Sequence, residues 1–216
     1  MATFALISEG ITDQVVIEAV AKGYYKKKTP GEQIHILFQQ PTRDATDRSR
    51  QSRADEDFGG WEQVLEYCST SERVYEALAL SDFLIIHIDS DICWNENIGI
   101  DKNQDVDALV SEIKRLLVSR IDKQLYSDYG HQIFFAIPVH STECWLLPLH
   151  ATKQSERIRI NDCEGLLRDV MKRKKRRMPK EHDIYVELAK GFRSYKSIEA
   201  ACEVNRSLEI FVDSLP

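Results

Sequence analysis

The sequence contains no apolar run approaching the roughly 18 residues that a membrane-spanning helix requires. Its first residues, MATFALISEGITDQ, include no basic segment followed by an uninterrupted apolar one, so we expect no secretory signal and a cytoplasmic protein. The five cysteines are an odd number without a CxxC pair, in a chain large enough to fold without disulfides. Reduced thiols are therefore the expectation for all five.

An excess of positive charge is also lacking, because 29 Lys and Arg are outnumbered by 35 Asp and Glu, for a net charge of -6. The overall field does not attract nucleic acid, so such a contact must come from a local patch. The candidate patch is a basic run made of Lys172, Arg173, Lys174, Lys175, Arg176 and Arg177. Its charges could follow a phosphate backbone. A solvated helix surface or a mobile basic loop is an equally weighted alternative.

What the sequence does contain is an alternation of short apolar runs with segments of helical periodicity. The runs predict four strands, at residues 4–7, 34–38, 83–88 and 133–137. The fold class that this favours is α/β, with a mostly parallel four-stranded sheet flanked by helices. We expect a catalytic domain over residues 1–150 and a C-terminal helical extension over residues 151–216, packed on the same domain.

One segment interrupts this alternation, since residues 42–57 hold almost no large apolar side chain. They predict a flexible loop inserted at residues 39–60. Its arginines are candidates to close over a substrate strand: Arg43, Arg48, Arg50 and Arg53. Interspersed aspartates largely cancel their charge, so an ordinary flexible loop is the favoured interpretation.

Carboxylates follow two of the predicted strands at the points where the apolar runs end. Glu9 follows the first strand, and Asp89 and Asp91 follow the third. Ligands of open α/β sheets bind beyond the carboxyl ends of the strands, so these side chains are expected at the functional edge. Three close carboxylates repel one another unless a cation neutralises them, and a hard ion with oxygen ligands is the natural partner. The structural alternative is that each Asp only caps a turn.

This combination resembles the TOPRIM domain of topoisomerases, primases and the OLD-type nucleases of bacterial antiphage systems. Glu9-Gly10 corresponds to the family's glutamate and glycine after the first strand, and Asp89-Ser90-Asp91 to its later DxD. Asp13 stands where an acidic residue is common in the family's opening motif. Glu143, after the fourth strand, is similar to a further carboxylate of the OLD-type branch. The resemblance covers roughly residues 3–150.

The resemblance implies a metal-dependent nuclease that cleaves DNA or RNA, as the effector of an antiphage defence or toxin system. Asp89 and Asp91 would bind Mg²⁺ or Mn²⁺, Glu9 would bind metal or act as general base, and Glu143 would complete a second site. Phosphoryl chemistry also needs other cations, and Lys190 and Arg193 are the candidates to reach the phosphate. Solvated helix cations are the ordinary alternative for both.

The sequence departs from the OLD-type pattern because it has no GxxxxGK[ST] motif, whereas full OLD proteins carry an ATPase on the same chain. A separate ATPase subunit is one expectation, and the absence of any ATPase partner is the other; self-association is compatible with both. Other DxD folds place their acidic residues after the first strand. The serious alternative is a non-catalytic, TOPRIM-shaped interaction subunit that a partner ATPase regulates.

Overall fold

The computed structural model describes residues 1–41 and 60–216 of the chain. The strands of these ranges form one sheet in which every pairing is parallel, in the order β2-β1-β3-β4. The strands are β1 Thr3–Ile7, β2 His35–Gln40, β3 Phe83–His87 and β4 Ile133–Ala136. The expected α/β class with a four-stranded parallel sheet is confirmed. Because all four strands point the same way, their carboxyl ends meet at one edge.

Helices follow each strand and cover the sheet. They are α1 Ile11–Lys28, α2 Gly60–Ser69, α3 Ser71–Ala79, α4 Val106–Arg120, α5 Lys123–Tyr129, α6 Glu143–His150, α7 Gln154–Arg157, α8 Cys163–Arg173, α9 His182–Leu188, α10 Tyr195–Cys202 and α11 Arg206–Ser214. Short 3-10 turns occur at Ser90–Trp94, Gly130–Gln132 and Ala189–Arg193. Across the described ranges, each helix is too short or too polar to cross a membrane.

The side chains of β1 alternate between two hydrophobic cores, as the two-residue period of a strand requires. Phe4 and Leu6 lie in a core with α1, α6 and the helices from α8 to α11. Ala5 and Ile7 lie in a second core with α2, α3 and α4. All four side chains have 0% exposure, because β1 is central and both faces of the sheet are covered. Both central strands therefore end at an edge flanked by helices on two sides.

The C-terminal helices pack on α1 and thereby reach the same domain. A Cβ atom at Gly23 would lie 1.8 Å from the carbonyl oxygen of Phe192. Any residue other than glycine at position 23 would therefore clash with the backbone of Phe192. The Tyr24 hydroxyl donates to the carbonyl of Leu215 at 3.1 Å, and the Tyr25 hydroxyl donates to that of Pro216 at 2.9 Å. The extension is thus joined to α1 along much of that helix.

The ends of several elements are defined by local caps and turns. Helix α1 begins at Ile11, with Gly10 as its N-cap, and a Cβ at Gly10 would lie 3.0 Å from Asp13 Oδ2. Helix α4 ends at Arg120 and α5 begins at Lys123, where Asp122 provides the N-cap. The predicted bounds of the inserted loop differ from the structure. Residues 39 and 40 belong to β2, residue 60 begins α2, and the loop arginines lie outside the described residues.

The expectation of five reduced cysteines is wrong for two of them. A disulfide joins Cys144 of α6 to Cys163 of α8, with the Cα atoms 5.0 Å apart. Both residues are fully buried where the two helices pack, a proximity that their spacing of 19 residues in the sequence does not reveal. Cys68, Cys93 and Cys202 are free thiols.

Candidate metal centre

Glu9 lies directly after β1 and is held against the turn that follows β3. Its Oε1 atom accepts a hydrogen bond from the backbone N–H of Asp89 at 2.6 Å. Gly60, the first residue of α2, also packs closely against Glu9, since a Cβ atom at Gly60 would lie 2.7 Å from the carbonyl oxygen of Glu9. The register of β1 against β3, with Ile7 opposite Ile86, brings the two strand ends level. Adjacent parallel strands thus place Glu9 and Asp89 together.

His87 and Thr142 link Asp89 to the rest of the site. The Thr142 hydroxyl donates to Asp89 Oδ1 at 3.1 Å, and His87 Nε2 lies 3.0 Å from the same hydroxyl oxygen and 3.2 Å from Asp89 Oδ1. Since Thr142 has one proton and gives it to a carboxylate, its oxygen accepts from His87, which places the ring proton on Nε2. Glu9, His87 and Asp89 each offer a ligand atom, and these atoms lie within 4.8 Å of one another.

Two further carboxylates face this group from helices. Asp13, in the first turn of α1, is 7% exposed, and Glu143, the first residue of α6, is 3% exposed. The Tyr185 hydroxyl of α9 donates a hydrogen bond to Glu143 Oε1. The structure therefore brings Glu9, Asp89 and Glu143 of the sequence prediction together with Asp13.

Burial and mutual repulsion act on these carboxyl groups in the same direction. Burial raises the pKa of Asp89 well above its ordinary value, and the charges of Asp13, Glu143 and Asp91 raise it further. Burial, followed by the charge of Asp89, raises the pKa of Glu9 in the same way. Desolvation and like charge both disfavour the ionised form. Burial and like charge therefore both oppose ionisation of Glu9 and Asp89.

Asp91 is less buried and lies towards the cations of the site. Burial raises its pKa, while the positive charges of His140 and Lys180 lower it. The backbone N–H of Asp91 donates to the carbonyl of His140 at 3.2 Å. Asp91 is thus tied to the loop that follows β4, on the outer side of the group.

Lys180 is a lysine near enough to the carboxylates for their charges to influence its pKa. Its burial lowers its pKa, but Glu143, Asp13, Glu164 and Asp89 raise it, and the net shift is upward. The residue lies between α8 and α9, two positions after the buried Met178. The C-terminal extension therefore contributes a cation to the edge of the sheet.

The lysine and arginine expected to assist the phosphate lie elsewhere. Lys190 is exposed and forms a 3.7 Å ion pair with Glu187. Arg193 lines a cavity with Lys22 and Lys26, in the second half of α1. Because α1 starts at the carboxylates and runs away from them for 18 residues, Arg193 lies near the opposite edge of the sheet. The structure does not bring Arg193 together with Glu9 and Asp89.

The basic run covers the end of α8 and the turn beyond it. Arg173 Nη2 donates to both oxygens of Glu156, at 2.9 and 2.8 Å, and Lys174 Nζ donates to the carbonyl of His150 at 2.7 Å. The other members are exposed: Lys172, Lys175, Arg176 and Arg177. The run lies beside His150, the last residue of α6, whereas Glu143 is the first residue of that helix. The basic run is therefore near the acidic group but at the other end of α6.

Sequence reasoning missed several residues of the site, and some of them carried a signal. His87 stands two positions before Asp89 on an apolar strand, so the strand period already places both on one side. Thr142 directly precedes Glu143. Lys180 and Tyr185 had no comparable signal, because both belong to the extension, and Tyr185 contacts Glu143 only through the packing of α9.

No family model matches the chain, and the comparisons with curated proteins and with solved structures give no match either. Function must therefore be inferred from the residues of the site and their arrangement. The site is a group of buried and partly buried carboxylates that contacts a histidine and a threonine, with a lysine nearby, at the carboxyl edge of a parallel sheet.

Proposed function

We propose that the chain is a divalent-metal-dependent nuclease with a TOPRIM-like arrangement of its site. One observation carries the proposal: Glu9 and Asp89 leave neighbouring parallel strands, are hydrogen-bonded to each other at 2.6 Å, and converge with His87 within 4.8 Å. Their order along the chain, with glutamate and glycine first and the DxD after the third strand, supports the TOPRIM-like assignment.

The donor set suits a hard divalent cation. Glu9 and Asp89 offer carboxylate oxygens within 4.8 Å of each other, and Mg²⁺ and Mn²⁺ prefer such ligands. The buried carboxyl group of Asp13, whose charge raises the pKa of Asp89, would join them. Their raised pKa values agree with the need for positive charge where they meet. His87 Nε2 is already engaged by Thr142 and Asp89, so we assign His87 to orienting Asp89. Such partners behind a ligand typically tune metal affinity.

The remaining residues have roles that follow from their contacts. A divalent ion at such a site polarises a phosphate oxygen and lowers the pKa of bound water. Asp91 and Glu143 would extend the ligand set, with Tyr185 fixing Glu143 in place. Lys180 would stabilise negative charge that develops on the phosphate, a role that the sequence pattern assigned to Lys190. An exposed basic run beside the site would hold the flanking backbone.

The biological setting is a proposal that rests on the resemblance alone. An antiphage or toxin role, and a separate ATPase subunit, follow from similarity to the OLD-type branch and not from a contact of this chain. A nuclease and a non-catalytic subunit differ in whether the chain cleaves phosphodiester bonds, which a direct cleavage assay measures.

The test is cleavage by the purified chain of a supercoiled plasmid and of tRNA, in Mg²⁺, in Mn²⁺ and in EDTA. We expect cleavage that requires metal and falls at least a hundredfold in Glu9→Gln and Asp89→Asn. Asp128→Asn is the matched control, because Asp128 is an exposed carboxylate on α5 that contacts only Gln124 among the described residues. Equal cleavage by all four proteins would overturn the proposal. A wild-type chain without cleavage of either substrate, although it binds Mg²⁺ and nucleic acid, would favour the non-catalytic subunit.

A further inference from the structure

A cavity of about 290 Å³ opens next to Asp91, outside the group formed by Glu9 and Asp89. Its walls come from the turn after β3, the loop before α4, the loop after β4 and the segment before α8. We call it the Trp94 cavity, and the lining residues used below are Trp94, Lys102, His140, Ile160 and Asn161. Because Asp91 and His140 line it too, a ligand in this cavity would adjoin the carboxylates.

Exposed apolar surface distinguishes this cavity. Trp94 is 53% exposed and Ile160 is 40% exposed, and they are two of the six large hydrophobic side chains that are exposed in the described part of the chain. Exposed apolar groups within a polar concavity mark ligand-binding surface more often than scattered ones do. The rim is polar, since Lys102, Asn161 and Asp91 border it.

The indole of Trp94 is held in a defined position beside the carboxylates. The ring of His140 packs edge-on against it, with centroids 4.6 Å apart and an interplanar angle of 75°. The His140 backbone is fixed in turn, because its N–H donates to Ser90 Oγ at 2.6 Å and its carbonyl accepts from Asp91. His140 adopts the left-handed conformation with φ 67°, which these bonds maintain. Trp94 is therefore pre-organised relative to Asp91.

Polar residues also line the cavity. His140 is one of them, packed against the indole. The ammonium of Lys102 lies 5.5 Å from the centroid of the Trp94 ring, at the end of a flexible and exposed side chain that can move aside to a phosphate. A flat ligand with polar edges and an attached phosphate would contact the indole, the imidazole and the lysine together.

We propose that the Trp94 cavity binds one nucleobase of the substrate strand, adjacent to the phosphate held at the carboxylates. This inference rests on the proposed nuclease function and narrows its substrate class to unpaired nucleic acid. The volume accommodates a single base, and an aromatic face stacks on any base without reading the sequence. A base inside a duplex is stacked and paired on both sides, so only an unpaired or extruded base can enter the cavity.

The test measures binding in Ca²⁺, in place of Mg²⁺ and Mn²⁺, by fluorescence anisotropy of labelled oligonucleotides. The probes are a short oligothymidylate strand, the same strand with abasic sugars, and a duplex of equal length. We expect Trp94→Ala to weaken binding of the normal strand about tenfold to a hundredfold, and Trp94→Phe to retain most of the affinity. Tyr75→Ala is the matched control, because Tyr75 is an equally exposed aromatic residue on α3, distant from the cavity.

The abasic strand should bind to the wild-type protein as weakly as the normal strand binds to Trp94→Ala, and the duplex more weakly than the normal strand. Equal affinity for normal and abasic strands, or an unchanged affinity of Trp94→Ala, would overturn the base-binding proposal. Tighter binding of free thymidine monophosphate than of the strand would overturn its assignment to a nucleic-acid chain.

Failure of this inference and failure of the proposed function give different results. Base-dependent binding that needs Trp94, without cleavage in Mg²⁺ or Mn²⁺, would support base binding in the cavity and contradict the nuclease function. Cleavage that needs Glu9 and Asp89, with no effect of Trp94→Ala on the rate or on KM for the strand, would support the nuclease function and contradict base binding in the cavity.

Discussion

The Oε1 atom of Glu9 accepts a 2.6 Å hydrogen bond from the backbone N–H of Asp89, although 80 positions separate the two residues in the chain. This bond places the partly buried glutamate beside a second partly buried carboxylate. Burial and the Asp89 charge both raise the pKa of Glu9, so the pair is unfavourable without a cation.

Divalent metal should therefore stabilise the folded protein. At a concentration a hundred times the dissociation constant, Mg²⁺ or Mn²⁺ is expected to raise the free energy of unfolding by about 2.7 kcal/mol. Thermal unfolding with and without the ion measures this effect. Glu9→Gln and Asp89→Asn should lose the increment, whereas Asp128→Asn should retain it. A similar increment in all variants would show that the ion binds elsewhere.

Without metal, stability should fall as the pH rises above the ordinary carboxyl range. The folded protein holds Glu9 and Asp89 protonated to higher pH than the unfolded chain does, so it binds more protons in that interval. The contribution of these two groups to stability is thus greatest below the ordinary carboxyl pKa, and it is lost as the pH rises through their raised pKa values in the folded protein. Urea unfolding of the metal-free protein across pH 4 to 8 tests this, with Asp89→Asn expected to show a shallower decline. Equal pH slopes would contradict it.

Thr142→Val should damage the site while keeping the shape of the side chain. The hydroxyl joins His87 to Asp89. Its loss removes a donor from Asp89 Oδ1 and leaves the His87 Nε2–H with Asp89 Oδ1, 3.2 Å away, as its remaining acceptor. We expect unfolding free energy to drop by about 1–3 kcal/mol and metal affinity to fall about tenfold or more. Calorimetric titration with Mn²⁺ and urea unfolding measure both. Thr142→Ser keeps the hydroxyl and should behave like the wild type.

Lys180 should matter more for cleavage than Lys190 or Arg193. Four carboxylates attract the ammonium of Lys180, whereas Lys190 pairs with Glu187 in solvent and Arg193 lies beside the second half of α1. Lys180→Ala is expected to lower kcat about a hundredfold, and the other two alanine variants less than about threefold. Steady-state cleavage kinetics of the three variants provide the comparison. A larger loss of kcat in Lys190→Ala than in Lys180→Ala would assign the stabilisation of the phosphate charge to Lys190, as the sequence pattern suggested.

Removing the disulfide should destabilise the fold by about 3 kcal/mol, the value expected for closing a loop of this length. Cys144 and Cys163 are 19 positions apart and join the helix that begins with Glu143 to the helix whose last residues begin the basic run. Urea unfolding of Cys163→Ser, and of the wild type with and without reductant, measures the loss. Cys202→Ser, which removes a half-buried free thiol, is the control. Insensitivity of the wild type to reductant would contradict the pairing.

The sequence by itself determined the strands, the parallel sheet and the convergence of Glu9 with Asp89. Apolar runs that are buried on both faces must be central strands, and parallel strands bring their carboxyl ends to one edge. These features depend on patterns within short segments, which can be recognised without knowledge of the rest of the chain.

Only the tertiary structure decided which distant side chains complete the site. The selection of Lys180 over Lys190, the bond from Tyr185 to Glu143, the Cys144–Cys163 disulfide and the wall of the Trp94 cavity all depend on how the extension packs against α1 and α6. That packing results from side-chain shapes and close backbone contacts between residues far apart in the chain. Spacing and composition carry no record of such contacts.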